Sequence, residues 1–439
     1  MTRSDASDSP AKRRISAAGW RIVLLASLGG TLEFYDFVIF GIFAKDIADA
    51  IFPNPTPLVS LMASFGAFAV GYFARPIGGI VLSHFGDRYG RRRVFLISLF
   101  IMSAATFGMG LVPAFATWGA AASALMVTLR LIQGFCLGGE LPGALTYVVE
   151  TAPRHAPFVC GVVFSCVTMG VAAATGVSLA VRTWLPADRV AALGWRLAFV
   201  LGGLGGLISF VLRRSLEESP EFARMRQLAA RQPFRDIVTG HLGPVAAGVA
   251  ALAATSGFTG LFFSHMPAYM SGVLHYDARQ TVLSQTIGVI VHALGILVVG
   301  RLADQVPPRT LLRVGAVALA ALAFPFYSAL AHRTWSPTLL LVLAGACASL
   351  VNGTFAVLLT DLFPTRVRFS GVALGFNIAF TAFSGTAPLV ATSLIRSSGS
   401  DVAPAFVMIA YGVLTLAASF GLRRAGGHVL AQREVGART

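Results

Sequence analysis

The sequence predicts an all-α protein that lies in a membrane and crosses it twelve times. Three observations lead to this prediction. First, 56% of the 439 residues are hydrophobic, only 12% are charged and the mean hydropathy is +0.74, which is far too apolar for a soluble chain of this length. Second, apolar runs of about 20 residues, the length an α-helix needs to cross the hydrocarbon core, recur along the chain. Third, basic residues concentrate in alternate connections between these runs.

The apolar runs give the boundaries of the predicted helices. A basic segment precedes the first run, as in a signal peptide. However, the apolar part exceeds the usual length and no small-residue cleavage site follows it, so we expect it to be retained as helix 1. The predicted spans are 20–44, 58–83, 94–112, 119–149, 157–181, 196–212, 243–270, 280–300, 310–331, 336–360, 370–394 and 402–422.

The distribution of Lys and Arg predicts the orientation. The connections on the side of both termini hold 25 of these residues and the opposite connections hold 7. The positive-inside rule therefore places both termini in the cytoplasm. The net charge of +15 follows from this bias and gives no support to nucleic-acid binding. The four cysteines fall within predicted spans without a CxxC motif, so we expect neither a metal site nor a cofactor.

Two loop motifs occur twice, which indicates an internal duplication. "SHFGDRYGRRR" follows span 2 and "GRLADQVPPR" follows span 8, so that Asp87 and Asp304 are 217 residues apart. An acid-x-x-Pro motif follows spans 4 and 10, and its acids, Glu150 and Asp361, are 211 residues apart. Similar offsets in the same order predict two pseudo-symmetric six-helix bundles. The predicted segments are an N-terminal tail at 1–19, bundles at 20–212 and 243–423, a central cytoplasmic loop at 213–242 and a C-terminal tail at 424–439.

These features resemble the major facilitator superfamily. More narrowly, "LEFYDFVIFG" in helix 1, "RPIGG" in helix 2, "RLIQGFCLGGE" in helix 4 and "LEESPEF" after helix 6 resemble the metabolite:proton symporter family, bacterial carriers for organic acids and for proline and betaine. The chain departs from the superfamily pattern at Ser83, where a glycine usually opens the 2–3 loop, and in the degenerate second copy of that loop. The resemblance implies a monomeric, proton-driven carrier of the bacterial inner membrane that works by alternating access.

The charged residues of the cytoplasmic loops are candidates for a gate. Asp87 would cap a helix N-terminus of the other bundle, while Arg91 or Arg92 would pair with Glu150. Alternatively, this short basic loop only fixes orientation. The repeated acid-x-x-Pro motifs favour the gate, because each bundle then supplies matching parts. The candidate gating residues are Asp87, Arg88, Arg91, Arg92, Glu150, Asp304, Asp361 and Arg366.

Five ionisable residues, apart from histidines, lie well inside the predicted spans. At about 3 kcal/mol each on the insertion scale, their gross cost is about 15 kcal/mol, comparable with the stability of a whole protein. They are tolerated only if they pair, face water or become neutral. The five are Glu33, Asp36, Arg75, Arg130 and Glu140.

The acids among them are candidates for proton coupling. Glu33 and Asp36 are three residues apart and share a helix face, so their mutual repulsion should keep one of them protonated. Arg75 lies at nearly the depth of Glu33 and is expected to pair with it. Three acids against two arginines leave one acid over, which favours a titrating site over a set of fixed ion pairs. The predicted proton-coupling residues are Glu33, Asp36 and Glu140.

An intramembrane arginine that is released when its partner acid binds a proton can hold an anion. Arg130 is the preferred clamp, because Arg75 is expected to be committed to Glu33. Away from their ends, the spans of the second half carry no acid or arginine, but only His265, His292 and neutral amides that can orient a substrate. The predicted substrate-binding residues are Arg130, Arg75, Tyr35, Gln133, Asn352 and Asn377.

The sequence thus predicts a symporter that imports a small organic acid together with protons. A zwitterionic osmolyte such as proline or betaine is the alternative substrate. Export of amphipathic drugs by proton antiport and sensing without turnover are two further alternatives. An enzyme is not expected, because the sequence has no metal-ligand cluster, Gly-rich phosphate loop or nucleophile motif. The expected partners are the small-molecule substrate, protons and the lipid bilayer.

Overall fold

The computed structural model describes residues 17–89, 91–214 and 233–430, and within them a helix covers each of the twelve predicted spans. The "LEESPEF" motif and most of the predicted tails lie outside these ranges. Nine helices of the described part are long and apolar enough to cross a membrane, and one bent pair makes a tenth. The other two are helix 1, which carries Glu33 and Asp36, and helix 3, whose apolar part begins only at Leu96.

We number the helices by the predicted spans. Breaks divide helices 4, 7 and 10 into segments. Helices 1 to 12 are Ala17–Ile42, Pro57–Tyr89, Arg91–Leu111, Ala120–Cys136 with Glu140–Thr151, Ala156–Trp184, Trp195–Arg214, Leu242–Ala251 with Ala253–Val273, Ala278–Leu302, Pro308–Ala331, Pro337–Asn352 with Phe355–Asp361, Arg368–Ser398 and Pro404–Ala425.

Helices 4 and 10 are interrupted at equivalent places in the two halves. Helix 4 breaks after Cys136, where Gly138 and Gly139 follow, and helix 10 breaks after Asn352 at Gly353. Glycine favours such breaks because it loses more conformational entropy in a helix than other residues. A break inside a membrane helix leaves backbone carbonyls available, which is tolerated only where protein or a polar cavity covers them. The matching breaks agree with the duplicated architecture.

Glycines let helices 2 and 4 cross in direct backbone contact. A Cβ added at Gly134 would lie 1.8 Å from the carbonyl oxygen of Gly71, and one at Gly138 would lie 2.3 Å from that of Arg75. Gly134 and Gly138, a G-x-x-x-G motif, therefore let helix 4 approach helix 2 closely. This crossing brings Arg75 and Arg130 to the same region of the core.

The two halves meet along helices 5 and 8, which pack closely. A Cβ added at Gly161 would lie 3.2 Å from the Cα of Gly300, and the Ser165 hydroxyl donates to the carbonyl oxygen of Ala293 at 2.8 Å. Helix 1 also contacts helix 7, and helix 2 contacts helix 11. Large apolar side chains cover much of the outer surface, whereas most polar side chains of the helices are buried. This distribution suits a molecule surrounded by lipid.

Candidate functional site

Four of the five predicted intramembrane charges lie together in the core. Glu33, Asp36, Arg75 and Arg130 are all at most 2% exposed, and they come from helices 1, 2 and 4. The side chain of Glu140, the fifth, lies outside what the structure describes. Buried charges of this kind are costly unless other groups compensate them, so their partners define what the site can do.

Arg130 is held by aromatic rings and an amide. Its guanidinium carbon lies 4.3 Å from the ring centre of Phe37, 4.5 Å from that of Phe40 and 5.1 Å from that of Phe68. Its Nη1 donates to Gln133 Oε1 at 2.5 Å, whereas its Nε and Nη2 find no hydrogen-bond acceptor among the described residues. The cation is therefore stabilised by π faces, and one edge of its guanidinium remains available.

Arg75 lies next to Arg130, because both guanidinium groups approach the ring of Phe37. Its carbon is 5.5 Å from that ring, 5.3 Å from the ring of Tyr72 and 5.8 Å from the ring of Phe376, which belongs to the second half. Arg75 also lies near enough to Glu33 for electrostatic attraction between them, and their pairing stays a prediction. In the described part of the chain, Nε and Nη2 of Arg75 also make no hydrogen bond.

The carboxylate of Asp36 faces helices 3 and 6. It lies beside the Thr106 hydroxyl, and a Cβ added at Gly202 would come within 2.5 Å of its Oδ1. The two acids of helix 1 therefore face different neighbours, since Glu33 interacts with Arg75. Residues three apart are offset by about 60° around a helix, and the glycines of helix 6 leave room for Asp36. The carboxyl of Asp36 therefore has its neighbours on helices 3 and 6, while Glu33 interacts with Arg75 of helix 2.

Tyr35 and Gln133 have different surroundings. The Tyr35 hydroxyl donates to the Ala198 carbonyl of helix 6 at 3.1 Å, so in this conformation Tyr35 packs against helix 6. Gln133 Oε1 accepts a hydrogen bond from Arg130, and Gln133 Nε2 donates one to Thr106 Oγ1 at 2.8 Å. Sequence reasoning missed Thr106, because a single threonine in an apolar span gives no signal of its neighbours.

The polar residues of the second half form hydrogen bonds within the core. His292 Nδ1 lies 2.8 Å from the Gly345 carbonyl, which can only accept, and His292 Nε2 lies 2.8 Å from Asn352 Nδ2, which can only donate. This pattern fits a neutral histidine with its proton on Nδ1. Asn377 crosses between the halves and donates to the Gly138 carbonyl, at the break of helix 4, at 2.6 Å.

Asn352 and Asn377 each keep an amide oxygen without a donor among the described residues. Both side chains are at most 2% exposed. A buried acceptor without a donor costs free energy, about 1–3 kcal/mol in mutational data. A substrate with hydrogen-bond donors would relieve this cost, which agrees with the predicted role of both residues.

An ion pair between Glu150 and Arg368 bridges the halves at the end of the molecule that carries the 4–5 and 10–11 loops. Arg368 Nη1 lies 2.8 Å from Glu150 Oε1. The sequence had suggested Arg91 or Arg92 as the partner of Glu150 and Arg366 as the basic residue of the second copy. Arg366 instead pairs with Asp236 at 3.3 Å on the exposed surface. Arg368 was missed because only its position at the start of helix 11 directs it inward.

The other predicted gating residues differ from one another in their contacts. Asp304 bridges to His155 of the first half at 3.3 Å. Asp361 remains within the second half, where it binds Arg309 at 3.1 Å and accepts the backbone N–H groups of residues 427, 429 and 430. The side chains of Asp87, Arg88, Arg91 and Arg92 lie outside the described part of the structure.

Contacts between the halves also occur at the opposite end. The rings of Phe65 and His265 lie 5.6 Å apart there, and the hydroxyls of Tyr72 and Ser384, near the middle of helices 2 and 11, are 3.0 Å apart. Because both ends are held together and the central charges are buried, the structure has an occluded conformation. No group of three or more metal-ligating side chains occurs among the described residues.

Comparisons with known proteins agree with this architecture. The family model described as Major Facilitator Superfamily matches residues 26–388. The citrate-proton symporter of Klebsiella pneumoniae is 32% identical over 427 residues, which is 95% of each chain. The proline/betaine transporter of Salmonella typhimurium is 30% identical over 431 residues, 93% of this chain and 84% of that protein.

Solved structures support the same fold. The proton:xylose symporter XylE bound to 6-bromo-6-deoxy-D-glucose superposes with a TM-score of 0.75 at 17% identity, covering 94% of this chain and 96% of that one. The predicted class of twelve membrane helices in two six-helix bundles is thus confirmed. The expectation that the chain is not an enzyme is confirmed too, because these relatives are transporters.

Proposed function

This chain belongs to the Major Facilitator Superfamily, and we propose that it is a proton-driven symporter that imports a small organic acid across the bacterial inner membrane. The named relatives include a citrate-proton symporter similar over nearly its whole length. The substrate therefore has to be recognised at a site between the bundles that both halves can reach.

The observation that carries the proposal is the guanidinium of Arg130. It is fully buried, and its Nε and Nη2, which form one edge of the planar fork, have no acceptor in the described part of the chain. Two parallel N–H donors on one edge match the two oxygens of a carboxylate. A buried cation held mainly by ring faces is costly without an anion, so we assign the carboxylate of the substrate to Arg130.

Asp36 is our choice for the proton carrier. Its carboxyl is 1% exposed, and Oδ2 has no hydrogen-bond partner among the described residues. This environment suits a neutral acid better than a carboxylate. We therefore assign a protonated Asp36 to the occluded state, with release of the proton when the cytoplasmic side opens. Glu33 is the second choice, because its attraction to Arg75 already compensates its charge.

The direction of transport follows from the predicted orientation. With both termini in the cytoplasm, the Glu150–Arg368 pair would close the cytoplasmic side and the Phe65–His265 contact would close the periplasmic side. Bundles 20–212 and 243–423 would rock about the site, joined by the loop at 213–242. One chain supplies both halves of the site, so a monomer suffices.

The osmolyte reading remains the second candidate, because the proline/betaine transporter of Salmonella typhimurium is nearly as similar. The two substrate classes differ electrically. A monoanion with one proton moves no net charge, so a pH gradient alone drives it, about tenfold per pH unit. A zwitterion with one proton also responds to the membrane potential, which adds about 2.3 kcal/mol per 100 mV.

The test uses purified protein in vesicles and a panel of carboxylates, amino acids and betaines. We expect accumulation of a carboxylate that follows the pH gradient and does not follow a potential imposed alone. In the same assay Arg130→Gln should raise the KM for that acid about 30-fold or more, which corresponds to about 2 kcal/mol for a charge-assisted pair. Concentration of betaine by the potential alone would favour the osmolyte reading instead, and an unchanged KM in Arg130→Gln would refute the assignment of the substrate carboxylate to Arg130.

A further inference from the structure

The hydrogen bonds from Arg130 have only one consistent direction. Arginine can only donate, so the Gln133 atom 2.5 Å from Nη1 must be Oε1. The amide of Gln133 therefore points its NH₂ away from Arg130, toward the Asp36 carbonyl at 3.2 Å and Thr106 Oγ1 at 2.8 Å. Thr106 thus accepts a hydrogen bond from the residue that holds the candidate anion clamp.

The single hydroxyl hydrogen of Thr106 then has two possible acceptors. In this structure Thr106 Oγ1 donates to the Met102 carbonyl at 3.0 Å. The other possible acceptor is the carboxyl of Asp36. Gln133 Nε2 contacts both Thr106 Oγ1 and the Asp36 backbone carbonyl, and a Cβ added at Gly206 would meet both Ser103 of helix 3 and, at 3.6 Å, Asp36 Oδ2, so the carboxyl lies against helix 3 next to Thr106. When the Thr106 hydroxyl donates to the Met102 carbonyl and one of its lone pairs accepts from Gln133, its second lone pair is still available. A protonated Asp36 can donate to this lone pair. An ionised Asp36 instead requires the hydrogen to turn toward it.

On the helices that face Asp36, the Thr106 hydroxyl is the group that can stabilise an ionised Asp36 carboxylate. Residues 94–111 of helix 3 and residues 197–212 of helix 6 contain no ionisable side chain, and Gly202 and Gly206 occupy the facing surface of helix 6. The charged group of helix 4 is Arg130, which lies at the far side of Gln133. Helix 1 itself contributes Tyr35 and Glu33. The Tyr35 hydroxyl is bound to the Ala198 carbonyl, and Glu33 interacts with Arg75.

From this geometry we propose that Thr106 is the positioning residue that couples the proton on Asp36 to the anion site at Arg130. The inference rests on the proposed function. When Asp36 loses its proton, Thr106 turns its hydrogen to the new carboxylate and supports the charge. Because Thr106 also anchors Gln133, this change reaches the amide that holds Arg130, and hydrogen bonds in such chains polarise one another.

The test removes the hydroxyl and keeps the shape. Thr106→Val removes the hydroxyl that donates a hydrogen bond to the ionised Asp36. Release of the proton from Asp36 to the inside therefore becomes harder. The internal pH needed for half-maximal accumulation should rise by about one to two units. Counterflow exchange needs no net proton release, so its dependence on pH should not shift, and Thr106→Ser should restore the native pH profile of accumulation. Thr106→Ala, which also lacks the hydroxyl, gives the same readout if the valine variant does not reach the membrane.

Thr168 provides the matched control. It is equally buried, and its hydroxyl makes the same type of bond, to the Phe164 carbonyl one turn back at 2.8 Å. Thr168→Val should leave the pH profile in place. An unshifted profile in both Thr106 variants, or an equal shift in Thr168→Val, would overturn the role of Thr106. Asp36→Asn separates the two proposals, because normal accumulation in that variant would refute Asp36 as the proton carrier, whatever Thr106 does.

Discussion

Neutralising the ion pair between the halves should open the cytoplasmic side. Glu150 and Arg368 come from different bundles and lie 2.8 Å apart. The pair can form only when the bundles are together at that end, so its energy belongs to the closed states alone. Glu150→Gln should therefore shift the equilibrium toward the cytoplasm-open state without changing the substrate site.

The size of the shift follows from the surroundings of the pair. The Arg368 side chain is 4% exposed, while that of Glu150 is 21% exposed and keeps contact with solvent. A hydrogen bond to a charged group contributes about 1.5–3 kcal/mol, and the partial exposure of Glu150 places this one at the lower end. A loss of about 1.5 kcal/mol changes the ratio of open to closed states about tenfold.

Labelling of a cysteine at the same interface measures this ratio. Phe369 lies across the interface from Gly143, where an added Cβ would be 3.1 Å from its ring. We would place Phe369→Cys in a background without the four native cysteines and label inside-out vesicles with an impermeant maleimide. Glu150→Gln should react about tenfold faster, and the exchanged pair, Glu150→Arg with Arg368→Glu, should return the rate toward its original value.

The exposed pair between Arg366 and Asp236 is the control, since it does not cross between the halves. Asp236→Asn removes an ion pair near the same surface and should leave labelling unchanged. If Glu150→Gln labels no faster than the parent protein, or if Asp236→Asn labels just as fast, the pair is not a latch. Its contribution would then be to local folding.

Two further predictions concern the scaffold of the site. Gly138→Ala should abolish assembly of active carrier, because its Cβ would lie 2.3 Å from the Arg75 carbonyl oxygen. Gly139→Ala should be tolerated, because its Cβ would have nothing within 4 Å. The amount of monodisperse protein and its uptake rate test this prediction, and equal behaviour of the two variants would contradict it. Asp361→Asn should lower the free energy of unfolding by about 2 kcal/mol or more and so lower the Tm. The reason is that the carboxylate binds Arg309 and three backbone N–H groups. An unchanged Tm would show that these bonds do not stabilise the protein.

The sequence by itself determined the membrane class, the twelve spans and the duplication. These follow from local properties, because a fixed hydrocarbon thickness selects runs of about 20 apolar residues and repeated motifs are visible without coordinates. The sequence also singled out Arg130 and Asp36, since a charge in such a run is costly wherever the helix is placed. The free-energy cost of burying these charges could be predicted without knowing which side chains they contact.

Only the tertiary structure decided their neighbours. Glu33 and Asp36 share a helix face in the sequence, but only the structure shows that Asp36 lies against helix 6 while Glu33 interacts with Arg75 of helix 2. Arg368 faces Glu150 although Arg366, two residues earlier, is exposed, because Arg366 lies in the turn before helix 11 and Arg368 begins that helix. The direction of a side chain depends on how helices rotate and cross, and that is fixed by contacts between residues far apart in the chain.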